Sequence, residues 1–233
     1  LKIFLDGIED KMYENGSWSD LSKNNHHFTW SSKPSFIKNN SVNMLGKTLT
    51  GAKKHMATQS PDNSIQKFTI VLDMNVLSNS PDGNILTIPG NQNTSLQLFI
   101  NGSEENNKKN TNYFTVKLGD DPTRYDSPPV FINNKNTYFF IYDNSSFTAY
   151  LNDSNTPYWN ISTKSKLYFN TPIKINEDGK LNIDLSSFLY YTKVLNHNDR
   201  TKIVNYIRHE EKESTKSKIE DYTFQTCLPL SQS

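Results

Sequence analysis

The chain has 233 residues, of which 25 are basic, 24 are acidic and 12% are aromatic. So close a balance of charge provides no general attraction for nucleic acid or for an anionic membrane, and we expect neither partner. No apolar run reaches the ~18 residues that a membrane-spanning helix needs, so we expect no membrane insertion. The single cysteine, Cys227, excludes an internal disulfide, and the hydrophobic core must hold the fold together.

The first predicted strand covers residues 1–6, and two tryptophans follow it in polar surroundings. Trp18 and Trp30 have two interpretations. Their rings are either platforms for sugars or plugs at the edge of a core, where large aromatic side chains are commonly found.

Alternating apolar residues and turn signals predict strands at 67–77, 84–88, 95–101 and 112–118. Their spacing of about ten residues, with turn signals between them, is typical of a sandwich or barrel. The segment 119–129 opens with an acidic pair and ends in two prolines, so we predict a surface loop there.

Residues 137–152 predict a β-hairpin that turns at Asn144 and Ser145. Because side chains alternate across a strand, the paired residues share one apolar and aromatic face. The predicted pairs are Tyr142 with Phe147, Phe140 with Ala149 and Tyr138 with Leu151. The other face carries Phe139 and Tyr150 among polar residues. Such a hairpin belongs in the middle of a sheet, with a second sheet packed on its apolar side.

A long strand and a helix follow the hairpin. Residues 180–191 predict a strand with Leu181, Ile183, Leu185 and Leu189 pointing inward. Asn196 suits a helix N-cap, and one helical face carries Ile203, Tyr206 and Ile207 for docking on the sheets. We predict one domain over residues 1–209, then a charged tail over 210–233 in which 223–230 suits a final edge strand.

Four stretches together resemble the laminin-G-like, concanavalin A-like lectin and glucanase superfamily. They are SWSDLSKNNHHFTW, FTIVLDMNV, YFFIYDNSSFTAYLN and GKLNIDLSSFLYYTKVLNHNDRTKIVNYI. The first also resembles the Trp-x-Asp-Leu-Ser opening of such modules in structural proteins of large DNA viruses. The resemblance implies an all-β fold, a two-sheet antiparallel β-sandwich of the jelly-roll kind, with one short C-terminal helix. It also implies ligands that differ among members: glycans, proteins and sometimes calcium.

The residues argue against catalysis. Glucanase members of the superfamily carry a Glu-x-Asp-x-Glu strand, because glycoside hydrolysis needs two carboxylates facing one cleft. No such spacing occurs here, and no Gly-x-Ser-x-Gly marks a serine nucleophile. We predict that the chain is not an enzyme, with a glycoside hydrolase as the least favoured alternative.

Sugar sites combine an aromatic ring with Asn, Asp or Arg side chains, and two regions offer that mixture. The first joins two predicted loops and comprises Arg124, Tyr125, Asp126, Asp153, Tyr158 and Trp159. The second is the outer face of the hairpin around Phe139 and Tyr150. For Tyr158 and Trp159 the competing interpretation is a loop anchored on the rim of the sandwich. For Phe139 and Tyr150 it is packing of both rings beneath a neighbouring loop. No cofactor is predicted, although calcium held by Asp120, Asp121 and Asp153 stays open.

The sequence therefore predicts a surface recognition module that binds a glycan or a glycoprotein receptor, outside the cell or on a virion surface. The alternative is a structural or assembly protein without a ligand, which associates with itself or with a capsid or fibre partner.

Overall fold

The structure, a computed structural model, describes residues 1–7, 13, 15–22, 24–37, 41–51, 67–77, 80–90, 95–102, 112–163, 165, 167, 169 and 172–210. Within these residues the chain forms two eight-stranded antiparallel β-sheets and one helix. This confirms the predicted two-sheet β-sandwich with a short helix.

Sheet I contains the predicted hairpin and runs, edge to edge, through β14 (Trp159–Ser162), β13 (Ser146–Leu151), β12 (Lys135–Tyr142), β7 (Phe68–Val76), β16 (Ile183–Tyr191), β5 (Ser41–Asn43) and β4 (Ser35–Ile37). Its eighth strand, β1 (Ile3–Leu5), pairs with β16. Sheet II runs through β11 (Tyr125–Val130), β10 (Asn112–Leu118), β9 (Leu96–Gly102), β8 (Gly83–Ile88), β15 (Lys174–Ile175), β6 (Leu49–Gly51), β3 (Phe28–Trp30) and β2 (Ser17–Trp18). The helix, α1, covers His197–Glu210.

The hairpin of β12 and β13 has the predicted register. Tyr142 pairs with Phe147, Phe140 with Ala149 and Tyr138 with Leu151. The turn is stabilised locally, because Asp143 Oδ1 accepts hydrogen bonds from the backbone N–H groups of Ser145 (2.9 Å) and Ser146 (2.7 Å). Asn144 has a φ of 78°, a left-handed conformation that asparagine tolerates better than most residues.

The core lies between the two sheets and contains the aromatic row of the hairpin. Tyr138, Phe140 and Tyr142 are buried. Phe114 of sheet II meets Tyr138 and Phe140 edge-on, with ring centroids 5.0 and 5.5 Å apart. The Tyr142 hydroxyl donates to the Ser165 carbonyl oxygen at 2.5 Å, and burial raises the pKa of Tyr142 to about 12. Sheet II therefore covers the row from the predicted side.

The helix packs on the outer face of sheet I. Its predicted N-cap is confirmed, because Asn196 Oδ1 accepts from the Asp199 N–H at 2.9 Å. The predicted docking residues Ile203, Tyr206 and Ile207 pack in one cluster with Phe4, Val71, Phe139, Leu189 and Tyr191 of the sheet. The second apolar layer of the protein thus lies between α1 and sheet I.

The predicted inward position of Leu189 is wrong. A β-bulge lies between Leu185 and Ser187, and the extra residue reverses the faces of the rest of β16. Leu185 therefore points into the core between the sheets, as do Phe188 and Tyr190, whereas Leu189 lies beneath α1.

The two N-terminal tryptophans belong to the core. Trp18 and Trp30 stack with their ring centroids 5.7 Å apart and their planes 8° apart. Trp18 Nε1 also donates to the Asp6 carbonyl oxygen at 2.8 Å. Neither ring presents a face to a sugar, and the core interpretation is confirmed.

The predicted surface loop over 119–129 is wrong in its second half, because β11 begins at Tyr125. Proline has no backbone N–H to donate to a neighbouring strand. The two prolines are accommodated because β11 is an edge strand of sheet II and has no neighbouring strand on its outer side. Beside a register shift, Ser127 Oγ accepts from the Phe114 N–H at 2.9 Å.

The predicted tail over 210–233 lies outside the described residues, apart from Glu210 at the end of α1. The same holds for Cys227 and for the edge strand predicted at 223–230. The helix that the structure describes is too short and too polar to cross a membrane.

Candidate functional site

The structure brings together the two loops of the first predicted region. The Tyr158 hydroxyl lies 2.6 Å from the Pro128 carbonyl oxygen and 2.7 Å from that of Pro129, and it donates to this pair. The Tyr158 N–H donates to the Ala149 carbonyl oxygen at 2.8 Å. Tyr158 therefore fastens the loop between β13 and β14, part of sheet I, onto the edge strand of sheet II.

Arg124 and Asp126 contribute to a mixed surface on the outer face of sheet II. The Arg124 Cζ lies 5.4 Å from the centroid of the half-buried Phe99 ring. Asp126 Oδ1 accepts from Thr115 Oγ1 at 2.5 Å, and Thr115 Oγ1 accepts from Asn101 Nδ2 at 2.6 Å. We call these five residues the rim patch. It presents a ring, a cation, an amide and a carboxylate from β9, β11 and the residue before β11, and the buried Thr115 hydroxyl of β10 joins the amide to the carboxylate.

The Arg124 guanidinium contacts the Phe99 ring but pairs with no carboxylate among the described residues. Arg124 is exposed and makes no hydrogen bond or ion pair within the described part of the chain. The nearby Asp121 is engaged elsewhere, because it accepts from the Thr123 N–H at 2.9 Å and the Tyr125 hydroxyl at 2.8 Å. These bonds lower the pKa of Asp121 and raise the pKa of Tyr125. The guanidinium donors of Arg124 are therefore open to a ligand.

Trp159 does not contribute a ring face, which corrects its prediction as a binding residue. It is 7% exposed and meets Phe147 edge-to-face, with centroids 5.8 Å apart. The alternation of β14 explains this burial, because Trp159 and Ile161 point inward while Asn160 and Ser162 point outward.

The second predicted region, the outer face of the hairpin, is also corrected. Phe139 is fully buried in the cluster beneath α1. Tyr150 is half-buried, and the Arg200 guanidinium lies 3.7 Å from its ring centroid. Arg200 is held there because it donates to the carbonyl oxygens of Leu195 (3.2 Å) and Ser154 (3.3 Å). A protein cation therefore occupies the position that a sugar would need on Tyr150.

The remaining candidates do not assemble a metal site. Asp153 and Asp120 are exposed, and Asp121 is bonded to Tyr125 and Thr123. Across the described ranges, no three His, Cys, Asp or Glu side chains are grouped so that they could hold a metal ion.

Sequence reasoning missed Phe99, Asn101 and Thr115. Side-chain alternation could have revealed two of them. Since Leu96, Leu98 and Ile100 point inward, Phe99 and Asn101 must lie on the outer face of the same strand. An aromatic residue on the solvent side of a strand is a recognisable candidate for ligand contact.

Comparison with known proteins gives no family and no close relative. No family model matches the chain, and no curated protein matches it. Solved structures do match in fold. The chain is similar to the binding domain of botulinum neurotoxin DC in complex with SialylT, with a TM-score of 0.62 and 14% identity over 88% of this chain and 51% of that one.

Two further structures show the same similarity. A botulinum neurotoxin type C, which interacts with two ganglioside molecules, gives a TM-score of 0.59 and 15% identity over 88% of this chain and 50% of that one. Trypanosoma rangeli sialidase in complex with 2,3-difluorosialic acid gives a TM-score of 0.62 and 11% identity, over 87% of this chain and 32% of the sialidase chain. The chain thus spans about half of the toxin chains and about a third of the sialidase. At these identities the similarity establishes the β-sandwich fold alone.

Proposed function

We propose that the chain is a non-catalytic recognition module that binds carbohydrate through the rim patch. The observation that carries this proposal is the unpaired Arg124 guanidinium over the Phe99 ring, beside the bonded series Asn101, Thr115 and Asp126. Arg200 is held over Tyr150 by two hydrogen bonds, whereas no hydrogen bond among the described residues holds Arg124 over Phe99. The Arg124 side chain can therefore move off the Phe99 ring, which takes the apolar face of a pyranose while the amide, carboxylate and guanidinium groups bind its hydroxyls.

The similar structures support a carbohydrate ligand. The toxin binding domain is in complex with SialylT, and the type C toxin interacts with gangliosides. Because the chain spans only part of each, the activities of those whole proteins are not carried over. We propose a glycan or glycoprotein partner and a location outside the cell, on an adhesin or on a virion surface.

The other predicted residues support the patch rather than form it. Tyr158 and Tyr125 fix β11, which follows Arg124 directly, and Asp153 is exposed in the loop that Tyr158 fastens. Among the five residues of the rim patch, Asp126 is the only carboxylate. Glycoside hydrolysis needs two carboxylates facing one bond, so we assign no reaction to the patch.

A glycan array tests the proposal with the parent chain, Arg124→Gln and the control Lys180→Gln. Lys180 is an exposed cation in the turn before β16, so its replacement removes the same charge at another place. We expect the parent to bind at least one class of glycan and Arg124→Gln to weaken that binding by about tenfold or more. The control should bind as the parent does. Absence of any glycan signal, or equal signals from all three proteins, would contradict the proposal.

One observation favours the assembly alternative. Phe131, directly after β11, is 53% exposed, and exposed aromatic residues are common at protein interfaces. Under this alternative, light scattering gives a fixed oligomer that Phe131→Ser dissociates, and the glycan array stays blank. Under the recognition proposal, the substitution leaves glycan binding unchanged.

A further inference from the structure

Three side chains with complementary chemistry lie together on the outer face of sheet I. Lys135 of β12 is the direct cross-strand partner of Asn75 of β7. Asp73 lies two residues before Asn75 on the same face, because the residues that alternate with them point into the core. Direct partners across antiparallel strands have Cβ atoms about 4.5–5.5 Å apart. The Lys135 amine can therefore meet the Asn75 carboxamide without any movement of the backbone.

The Lys135 side chain reaches diagonally across to β7. Its Nζ lies 3.1 Å from Asp73 Oδ2, and the other carboxylate oxygen, Asp73 Oδ1, accepts from Thr137 Oγ1 at 2.9 Å. Asp73 is buried, and the Lys135 side chain is only 27% exposed. The Lys135 amine is therefore held against a carboxylate that is shielded from water, within one cross-strand step of Asn75.

Asn75 is the member of the group that folding does not explain. Its Oδ1 is buried and has no hydrogen-bond partner in the part of the chain that the structure describes. Asparagine is disfavoured in strand interiors, and a buried amide without a partner destabilises the folded state. Residues that break such local rules are candidates for function. Because no external ligand can reach a buried oxygen, the group that acts on Asn75 has to come from the chain itself.

We propose that Lys135 and Asn75 form an intramolecular isopeptide bond, which joins β12 to β7 covalently. A lysine amine, a carboxamide and a carboxyl group that carries protons between them are the three groups that this reaction needs. The geometry places all three on one face of two adjacent strands. The proposal does not depend on Arg124 or on the rim patch.

The reaction balances with the groups present. Burial disfavours a charged pair, so a proton passes from the Lys135 ammonium to Asp73 and leaves a neutral amine, which is a nucleophile. The protonated Asp73 donates to Asn75 Oδ1, which lacks a donor, and so polarises the carbonyl group. Lys135 Nζ then attacks Asn75 Cγ. The Nζ–Cγ bond forms and the Cγ–Nδ2 bond breaks, while Asp73 relays one proton from Nζ to Nδ2, which leaves as ammonia.

The bond would strengthen the sandwich at its centre. Strands β7 and β12 are adjacent inner strands of sheet I, and they are distant in sequence. A covalent link that closes a long loop stabilises a fold by restricting the unfolded chain. The chain contains one cysteine and no internal disulfide, so the isopeptide bond supplies a cross-link of another kind.

Mass spectrometry of the denatured full chain is the test. We expect the parent to be lighter than its sequence mass by one ammonia molecule, and its tryptic digest to contain peptides 68–108 and 125–164 joined as one species. The full sequence mass overturns the proposal and makes Lys135 and Asp73 an ordinary ion pair. Loss of ammonia with the two peptides unlinked is cyclisation of an asparagine and also overturns it. Loss of water places the link at Asp73 and overturns the assignment to Asn75.

Lys135→Arg keeps the positive charge beside Asp73 but replaces the amine with a guanidinium that stays protonated. We expect this variant to fold, as judged by circular dichroism, to have its full sequence mass and to unfold at a lower urea concentration than the parent. Lys174→Arg is the matched control. Lys174 also pairs with a carboxylate, that of Glu177, but its cross-strand partners are Thr50 and Thr87. This control should lose ammonia as the parent does. A linked species in Lys135→Arg, or its absence from Lys174→Arg, overturns the assignment to Lys135.

Discussion

Asp20 shows how a single carboxylate can organise an irregular segment. Its Oδ1 accepts from the N–H groups of Phe4 (2.8 Å) and Ser22 (2.9 Å), and its Oδ2 accepts from the Ser22 hydroxyl and the His26 N–H, both at 2.8 Å. These four bonds join β1 to the segment between β2 and β3. The Trp-x-Asp-Leu-Ser stretch is therefore structural, with Trp18 in the core and Asp20 as its hydrogen-bonding centre.

Asp20→Ala is expected to destabilise the fold by about 3–5 kcal/mol, because it leaves several buried donors without an acceptor. Urea denaturation followed by tryptophan fluorescence measures the loss. Asp153→Ala serves as the control, since Asp153 is exposed and its carboxylate makes no hydrogen bond within the described residues. Equal stability of the two variants would show that the four bonds contribute little.

Tyr158 acts on the rim patch through the edge strand. Tyr158→Phe removes the donor to the Pro128 and Pro129 carbonyl oxygens and should cost about 0.5–1.5 kcal/mol of stability. Backbone amides of β11 should also exchange with deuterium faster. Tyr113→Phe on β10 is the matched control, because the Tyr113 hydroxyl has no hydrogen bond among the residues described. Unchanged exchange along β11 in Tyr158→Phe would rule out the fastening role.

At the scale of elements, α1 is joined to the sheet by a buried carboxylate as well as by apolar contacts. Asp6 Oδ2 accepts from the Tyr206 hydroxyl at 2.9 Å, and Asp6 Oδ1 accepts from Ser187 Oγ (2.9 Å) and the Gly7 N–H (2.8 Å). Burial raises the pKa of Asp6, although these bonds and the positive charge of Lys135 act in the opposite direction. Asp6 thus connects the first strand, β16 and the helix at one point.

The raised pKa of Asp6 predicts a dependence of stability on pH. When the folded state has the higher pKa, protonation favours folding. The contribution is full below the ordinary aspartate value near 3.8 and is lost as pH rises through the raised folded value. Asp6→Asn stays neutral, so its free energy of unfolding should increase relative to the parent between about pH 4 and pH 8. Denaturant titrations across that range measure the difference. A constant difference, or one that decreases with pH, contradicts the assignment to Asp6.

The elements differ in how far the sequence reveals them. The hairpin register was predictable because Asp143 to Ser146 can form only a short turn and the flanking residues alternate strictly. Strand β11 was not predictable in this way. Its prolines exclude a central strand but not an edge strand, and the sequence of one segment does not show whether that segment will lie at the edge of a sheet. The reversed face of Leu189 depends on a bulge at Ser186 and Ser187, for which the sequence carries no distinct signal.

At the scale of the whole molecule, the surroundings of each candidate residue depend on contacts between elements that are distant in sequence. The sequence put forward Arg124 and Asp126 as candidates, and pairing across sheet II brings Phe99, Asn101 and Thr115 beside them. It could not reveal that α1 would cover Phe139 or that Arg200 would stack on Tyr150, because both depend on where a helix distant in sequence packs. The fold follows from the packing of the two sheets, whereas the position of the proposed binding surface depends on which outer faces the helix leaves uncovered.

The position of the glycan on the sandwich is the most direct test of the proposed function. The measurement is backbone amide chemical-shift mapping of the parent chain with the glycan that the array selects. The account predicts saturable shifts centred on Phe99, Asn101, Thr115, Arg124 and Asp126, and their loss in Arg124→Gln. Shifts confined to the outer face of the hairpin or spread without saturation, or shifts that persist in Arg124→Gln, would contradict it.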